Sequence, residues 1–152
     1  MKPTISPPGT GRRVEVGPNA ITFRATAAES EGRIGVIEYD VGPRFVAPPV
    51  LHWHTRESFT GYVIEGTLRF RFADGVAEAG PGTTVHVPAL CRFAWENPSD
   101  LPAKVLFMYT PGGFEAYFND VHELLARNPG KSIKDLMPEV LPLWDKYGIE
   151  RE

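Results

Sequence analysis

Two histidines one residue apart, His52 and His54, are the groups in this chain best suited to chemistry. On a β-strand, residues two apart point to the same side. The segment His52-Trp53-His54 would therefore present both imidazoles on one face and Trp53 on the other. Such a pair can hold a metal ion once other strands add a third and fourth ligand. It can also move protons without a metal, because imidazole changes charge near neutral pH. The spacing leaves both uses open, and His-x-His pairs also occur on surfaces with no function. Glu57 follows, and then the run Tyr62-Val63-Ile64-Glu65-Gly66.

The elements that must position these groups read as strands. Short runs of strand character cover 20–25, 33–41, 50–54, 60–65, 67–72, 83–87, 92–96 and 104–109. Turn signals such as Gly42-Pro43 and Asp74-Gly75 separate them, and the 15 glycines and 15 prolines are spread along the chain. Many short strands at near-regular spacing imply a sandwich or barrel. After Pro111-Gly112-Gly113 the period changes. Phe114, Tyr117, Phe118, Val121, Leu124 and Leu125 recur at helical spacing, and Asn128-Pro129-Gly130 ends that helix. Ser132 with Asp135 marks a second start, leading to a helical segment up to Tyr147 that Pro138 and Pro142 should interrupt. The expected organisation is a flexible arm over 1–13, a barrel over 14–111 and a helical segment over 112–152 packed on a mouth or edge of the barrel.

Beside the first stretch lies a second, Gly82 to Asn97 (GTTVHVPALCRFAWEN). Together they resemble the two motifs of the cupin superfamily. The family's first motif has His-x-His, then a Glu, then a Gly seven residues after it. Gly66 fits that Gly, and Phe59 stands where the Glu would be. In the second motif Gly82, Pro88 and Asn97 fit, while Leu90 replaces a Gly and Phe93 replaces a His. The run Thr110-Pro111-Gly112-Gly113-Phe114-Glu115 and the closing Tyr147-Gly148-Ile149-Glu150 are similar to small bacterial cupins akin to quercetin dioxygenases. The resemblance spans about 14–150. It implies a mainly β fold, a cupin-type double-stranded β-helix or jelly-roll barrel with C-terminal α-helices, and a homodimer, to which the N-terminal arm and an outward Trp53 would contribute.

The departures from the motif shape the functional expectation. Metal-binding cupins use the His pair, the Glu and the later His. Here His52 and His54 remain, and phenyl rings that offer no lone pair stand at the other two positions. Two imidazoles fall short of the three or four ligands usual for Fe, Ni, Mn or Zn. No cofactor is therefore expected. Should a metal bind, His52, His54 and Glu57 would hold it, the last turned inward by a bulge. Parity places Phe59, Gly61 and Val63 on one face and Phe93 with Trp95 on another. Related sequences carry an aromatic at the position of Gly61, so the wall should recede there. These residues, with Tyr109 within reach, outline an apolar pocket whose main polar groups are His52 and His54. His86, flanked by Val85 and Val87, should face away from the core. Cys91 reads as a free structural thiol.

A net charge of −3 and an isoelectric point near 5.8 argue against nucleic acid or an anionic membrane as partner. Only Arg69 and Arg71 cluster, and a strand face accounts for them. One cysteine permits no internal disulfide, and no run has the length of a signal or membrane segment, which leads to the expectation of a cytoplasmic protein. The expected partner is a small molecule inside the barrel. Three functions follow. The first is metal-independent proton transfer (isomerisation, cyclisation or elimination) on an apolar, polyketide- or flavonoid-like molecule, with His52 and His54 as catalytic base and acid. The second is a quercetinase-like dioxygenase using a metal on the two histidines. The third is a binding protein with no chemistry.

Overall fold

Strict alternation of buried and less buried residues defines two long central strands. Gly35–Val41 and Ala103–Thr110 each place every second residue inside, and after Gly35 and Ala103 at the strand starts the inward residues are β-branched or aromatic: Ile37, Tyr39, Val41, Val105, Phe107 and Tyr109. The computed structural model describes residues 2–152. In chain order its elements are β1 (Arg13–Val16), β2 (Asn19–Ala25), β3 (Gly35–Val41), β4 (His52–His54), β5 (Ser58–Glu65), β6 (Leu68–Phe72), β7 (Gly75–Ala79), β8 (Thr84–Val87), β9 (Phe93–Glu96), β10 (Ala103–Thr110), α1 (Ala116–Arg127), α2 (Met137–Tyr147) and β11 (Ile149–Arg151).

Two antiparallel sheets result, a six-stranded one ordered β1-β2-β3-β10-β5-β8 and a five-stranded one ordered β11-β4-β9-β6-β7. This is the mainly β jelly roll expected from the sequence. Ile21, Ile37, Val63, Leu68, Phe70 and Val105 are almost wholly withdrawn from solvent. Such burial contributes on the order of 2 kcal/mol per large aliphatic side chain. Residues 2–12 form no strand or helix, yet Arg24 ties them down by donating to the backbone carbonyls of Ser6, Pro7 and Thr10.

The eight expected strands are present with ends moved by a residue or two. Three others escape the sequence pattern. β1 is four residues long, β7 reads GVAEA with only Ala79 buried, and β11 is a three-residue strand at the C-terminal side of α2. Helix α2 also differs from expectation. Pro138 sits in its first turn, where a missing N–H costs nothing, and Pro142 lies inside a helix that continues through it. Buried Val140 and Trp144 hold that helix to the sheet layer despite the lost hydrogen bond. Ser132 and Asp135 do form the expected reciprocal cap, but on the short 3₁₀ turn Lys134–Leu136 ahead of α2. Among the described residues no helix is long and apolar enough to cross a membrane.

Two of the motif residues act through the backbone. Gly66 has φ +74°, and a Cβ there would lie 2.8 Å from the Pro102 carbonyl oxygen, so only glycine fits. Leu90, in the place of a motif glycine, keeps the glycine-like conformation with φ 67° and donates its N–H to the His54 carbonyl at 2.8 Å. The loop thus holds β4 in place at the cost of strain in Leu90.

Gly61 corrects one expectation. It pairs with Phe107 across β5 and β10, and a Cβ added to it would meet the Phe107 ring at 2.9 Å. The missing side chain is filled by that ring and does not make the wall recede. Gly61→Ala should therefore overpack the core and lower unfolding free energy by about 1–3 kcal/mol, measured by urea denaturation. An unchanged midpoint would show that Phe107 has room to move.

Candidate ligand cavity

β4 is only three residues long, and its pleat settles which groups enter the interior. His52 and His54 are each 6% exposed, whereas Trp53 turns to the other side. There Trp53 donates its indole N–H to Glu150 at 2.9 Å and lies under the Arg92 guanidinium. The neighbouring strands complete the positioning: Phe93 of β9 and Arg151 of β11 stand opposite His52, and Ile149 stands opposite His54.

The two imidazoles meet aromatic rings on nearly every side. Ring centroids lie 4.4 Å apart for His52 and Phe93, 5.9 Å for His52 and Trp144, 4.3 Å for His54 and Phe114, and 5.8 Å for His54 and Phe59. The imidazoles themselves are 6.0 Å apart. Burial, followed by repulsion from His54, pushes His52 down to about 4, and the Val50 carbonyl offsets this only in part. His52 is therefore a neutral imidazole at pH 7. His54 has a different environment. Its Nδ1 is hydrogen-bonded to the carboxylate of Glu57, which is itself only 5% exposed. A carboxylate accepts, so Nδ1 carries the proton and Nε2 is left to act.

Neither Nε2 atom has a protein partner, and among the described residues no buried side-chain nitrogen or oxygen lacks one. They therefore retain some accessible surface, and both residues line the cavity. The same reasoning applies to the Tyr109 hydroxyl. Tyr109 is 4% exposed, lines the cavity and has no hydrogen-bond partner. Burial raises its pKa well above 10, with the nearby Tyr39, Glu57 and Glu115 adding to the effect, so it remains a proton donor.

The cavity measures about 700 Å³. That is within the roughly 300–1,000 Å³ range of small-molecule sites. Of the residues expected at the site, it brings together His52, His54, Phe59, Phe93, Trp95 and Tyr109. Gly61 and Val63 do not line it; Val63 is 1% exposed within the packed core. Glu57 is turned inward, but toward His54, not toward the opening. His86 is exposed and hydrogen-bonded to Thr60 at 2.9 Å. Sequence reasoning misses the other half of the wall. Phe45 comes from the loop before β4, Tyr39 from β3, Phe114 from the approach to α1, Tyr117 from its first turn, and Trp144 from α2. The helical period of Phe114, Tyr117 and Phe118 is plain in the sequence, but nothing in it says that the face covers an opening.

The donor set does not fit a resident metal. Phe59 and Phe93 stand against the histidines, with ring centroids 4.9 Å apart. Glu57 is engaged on Nδ1 of His54. Among the described residues no group of three or more His, Cys, Asp or Glu side chains converges. Two imidazoles without a third ligand are a weak site for Fe, Ni, Mn or Zn.

Comparisons with known proteins agree on the fold. The model for the cupin domain matches residues 37–109. No curated protein matches the sequence. Among solved structures, a cupin-superfamily sugar phosphate isomerase from Silicibacter pomeroyi superposes with TM-score 0.52 at 21% identity, over 61% of this chain and 59% of that one. KdgF from Halomonas sp. gives 0.65 at 13% identity, over 75% and 98%. PAC13 of Streptomyces, a nucleoside dehydratase solved with uridine, gives 0.58 at 16% identity, over 76% and 88%.

Because His52 is depressed from an ordinary value of 6.5 to about 4, its neutral form stabilises the fold. That contribution is full above pH 6.5 and is lost as pH falls from there toward 4, since the unfolded chain binds the proton first. Urea denaturation across this window should show the loss, and His52→Gln should flatten it. NMR titration of His52 with a midpoint near 6.5 would refute the assignment.

Proposed function

We propose that this chain, which has the cupin fold, is an enzyme moving a proton within a largely apolar ligand, without a metal. The observation that carries this reading is the pairing of a carboxylate-backed imidazole with a neutral one, both opening into an aromatic-walled cavity. The fold alone is common to many activities. Two structural neighbours are an isomerase and a dehydratase by name, which agrees with proton-transfer chemistry. Their sugar phosphate and nucleoside do not carry over, because the walls here are Phe45, Phe59, Phe93, Trp95, Phe114 and Trp144.

His54 is the base in this reading. Its Nε2 takes a proton from a carbon next to a carbonyl group, and Glu57 steadies the imidazolium that forms. The electron pair left on carbon moves into the carbonyl oxygen, where the Tyr109 hydroxyl donates a hydrogen bond. His52, neutral and facing the same space, orients a ligand hydroxyl or carbonyl. Return of the proton to a different carbon completes an isomerisation, and its delivery to a departing oxygen completes an elimination. Phe59 and Phe93 exclude water from the reacting carbon.

Solvent-exchange NMR tests this with simple probe ketones in place of the natural substrate. Incubating the protein in deuterated buffer with aromatic ketones and 1,3-diketones should place deuterium on the carbon beside the carbonyl. His54→Ala should slow that exchange by roughly 10²–10⁴-fold, and Glu57→Gln should also slow it. Equal exchange by wild type and His54→Ala, on every compound that exchanges, would overturn the reading.

A further inference from the structure

Resting on the reading of the cavity as a small-molecule site, we propose that its ligand carries an anionic oxygen group at one end, seated on Arg151 at the mouth. The first observation is the charge of the lining. Two cationic residues, Arg151 and Lys134, line the cavity, and no aspartate or glutamate does. An apolar chamber with only positive charge at its edge is complementary to an apolar molecule with a negative end.

The second observation is the register of β11. Arg151 stands directly opposite His52. Opposed residues of an antiparallel pair project to the same side. Arg151 therefore projects on the face of the two imidazoles, while Glu150 and Glu152 project away from it. Both of those acids are already engaged, Glu150 with the Trp53 indole at 2.9 Å and Glu152 with Arg92 at 3.2 Å. Arg151 has no ion pair among the described residues.

The third observation is how Arg151 is held. Its guanidinium lies 5.5 Å from the centre of the Trp144 ring, and that ring is 5.9 Å from the His52 ring. This cation–π contact holds the guanidinium over the indole, and no protein acceptor takes its N–H groups among the described residues. A flat fork of donors with no protein acceptor is suited to two oxygens of one anion. Lys134, on the 3₁₀ turn before α2, adds a second positive charge to the rim. A bound ligand would lie with its anionic end on Arg151, its apolar body along Trp144 and Phe93, and its reacting carbon at His54.

Calorimetry with matched probes tests the proposal. Phenylalkanoates of graded chain length, the corresponding phenylalkyl phosphates and the neutral phenylalkanamides would each be titrated into the wild-type protein. At least one anionic series should bind roughly tenfold or more tightly than the amide of equal length, and the tighter series identifies carboxylate or phosphate as the anion. Arg151→Gln should remove that preference while leaving amide binding unchanged. Arg151→Lys should keep part of it, and Lys134→Gln should weaken it less than Arg151→Gln. Because Arg151 is exposed, circular dichroism should confirm that the variants stay folded. Equal affinity of anion and amide in wild type, or an undiminished preference in Arg151→Gln, would overturn the proposal and leave the cavity reading intact. Binding of no probe in any series would overturn both. Anion-selective binding, together with ketone exchange that is equal in wild type and His54→Ala, would uphold the anion seat and sink the proton-transfer reading.

Discussion

Two imidazoles buried among aromatic rings form the constraint on which this structure turns. A polar ring withdrawn from water loses hydration, and the loss is larger for its charged form. The chain answers this in two ways from a single three-residue strand. His52 gives up its charge, with Nδ1 near the Val50 carbonyl at 3.4 Å. His54 keeps a carboxylate partner in Glu57, three residues along, where the chain turns from β4 into β5. Each imidazole thus has one nitrogen satisfied by protein and one left open to the cavity. Removing Glu57 would leave His54 without a fixed tautomer; removing the aromatic walls would return water to both rings.

The C-terminal segments complete that environment. A jelly roll of β1 to β10 alone would leave β4 as an edge strand with both histidines beside an open side. α1 supplies Phe114 at its approach, α2 supplies Trp144, and the left-handed Gly148 (φ 71°) turns the chain so that β11 can pair with β4. This pairing covers the edge, sets Ile149 against His54, and sets Arg151 beside His52. The helices, β11 and the cavity are therefore one arrangement. A loosened α2 would disturb His52 through Trp144 before it disturbed the central strands.

Strand parity makes much of this legible. Alternation in β3, β5 and β10 is strong because each has one buried face, and the inward direction of His52 and His54 follows from the same rule. The departures have physical reasons. β7 and β11 have no apolar alternation because they lie at sheet edges, where the backbone ladder and not side-chain burial defines the strand. Gly61 escapes parity, which gives direction but not occupancy: the volume a neighbour fills, here the Phe107 ring, is not written in the local sequence. Pro142 reads as a break because propensity weighs the lost hydrogen bond but not the packing of Val140 and Trp144 around it. The contributions of Phe45, Tyr39 and Trp144 are long-range and depend on topology.

The same apolar walls govern how charge can be used here. Phe59 and Phe93 stand where the resemblance to metal-binding cupins would place ligands, so the interior has carbon where a cation would need oxygen or nitrogen. Carbon walls lower the local dielectric. This strengthens the few polar contacts that remain, namely His54 with Glu57 and whatever meets the Tyr109 hydroxyl. It also makes an unpaired charge deep inside expensive. On the proposed reading, a ligand's anionic end must therefore stay near water while its reacting carbon goes deep. Arg151 is placed accordingly: exposed enough to stay hydrated, over the Trp144 ring, and one strand away from the imidazole that is neutral. The distance between the exposed guanidinium and buried His54 then acts as a ruler, and selects ligands whose charged and reacting ends are separated by the depth of the aromatic wall.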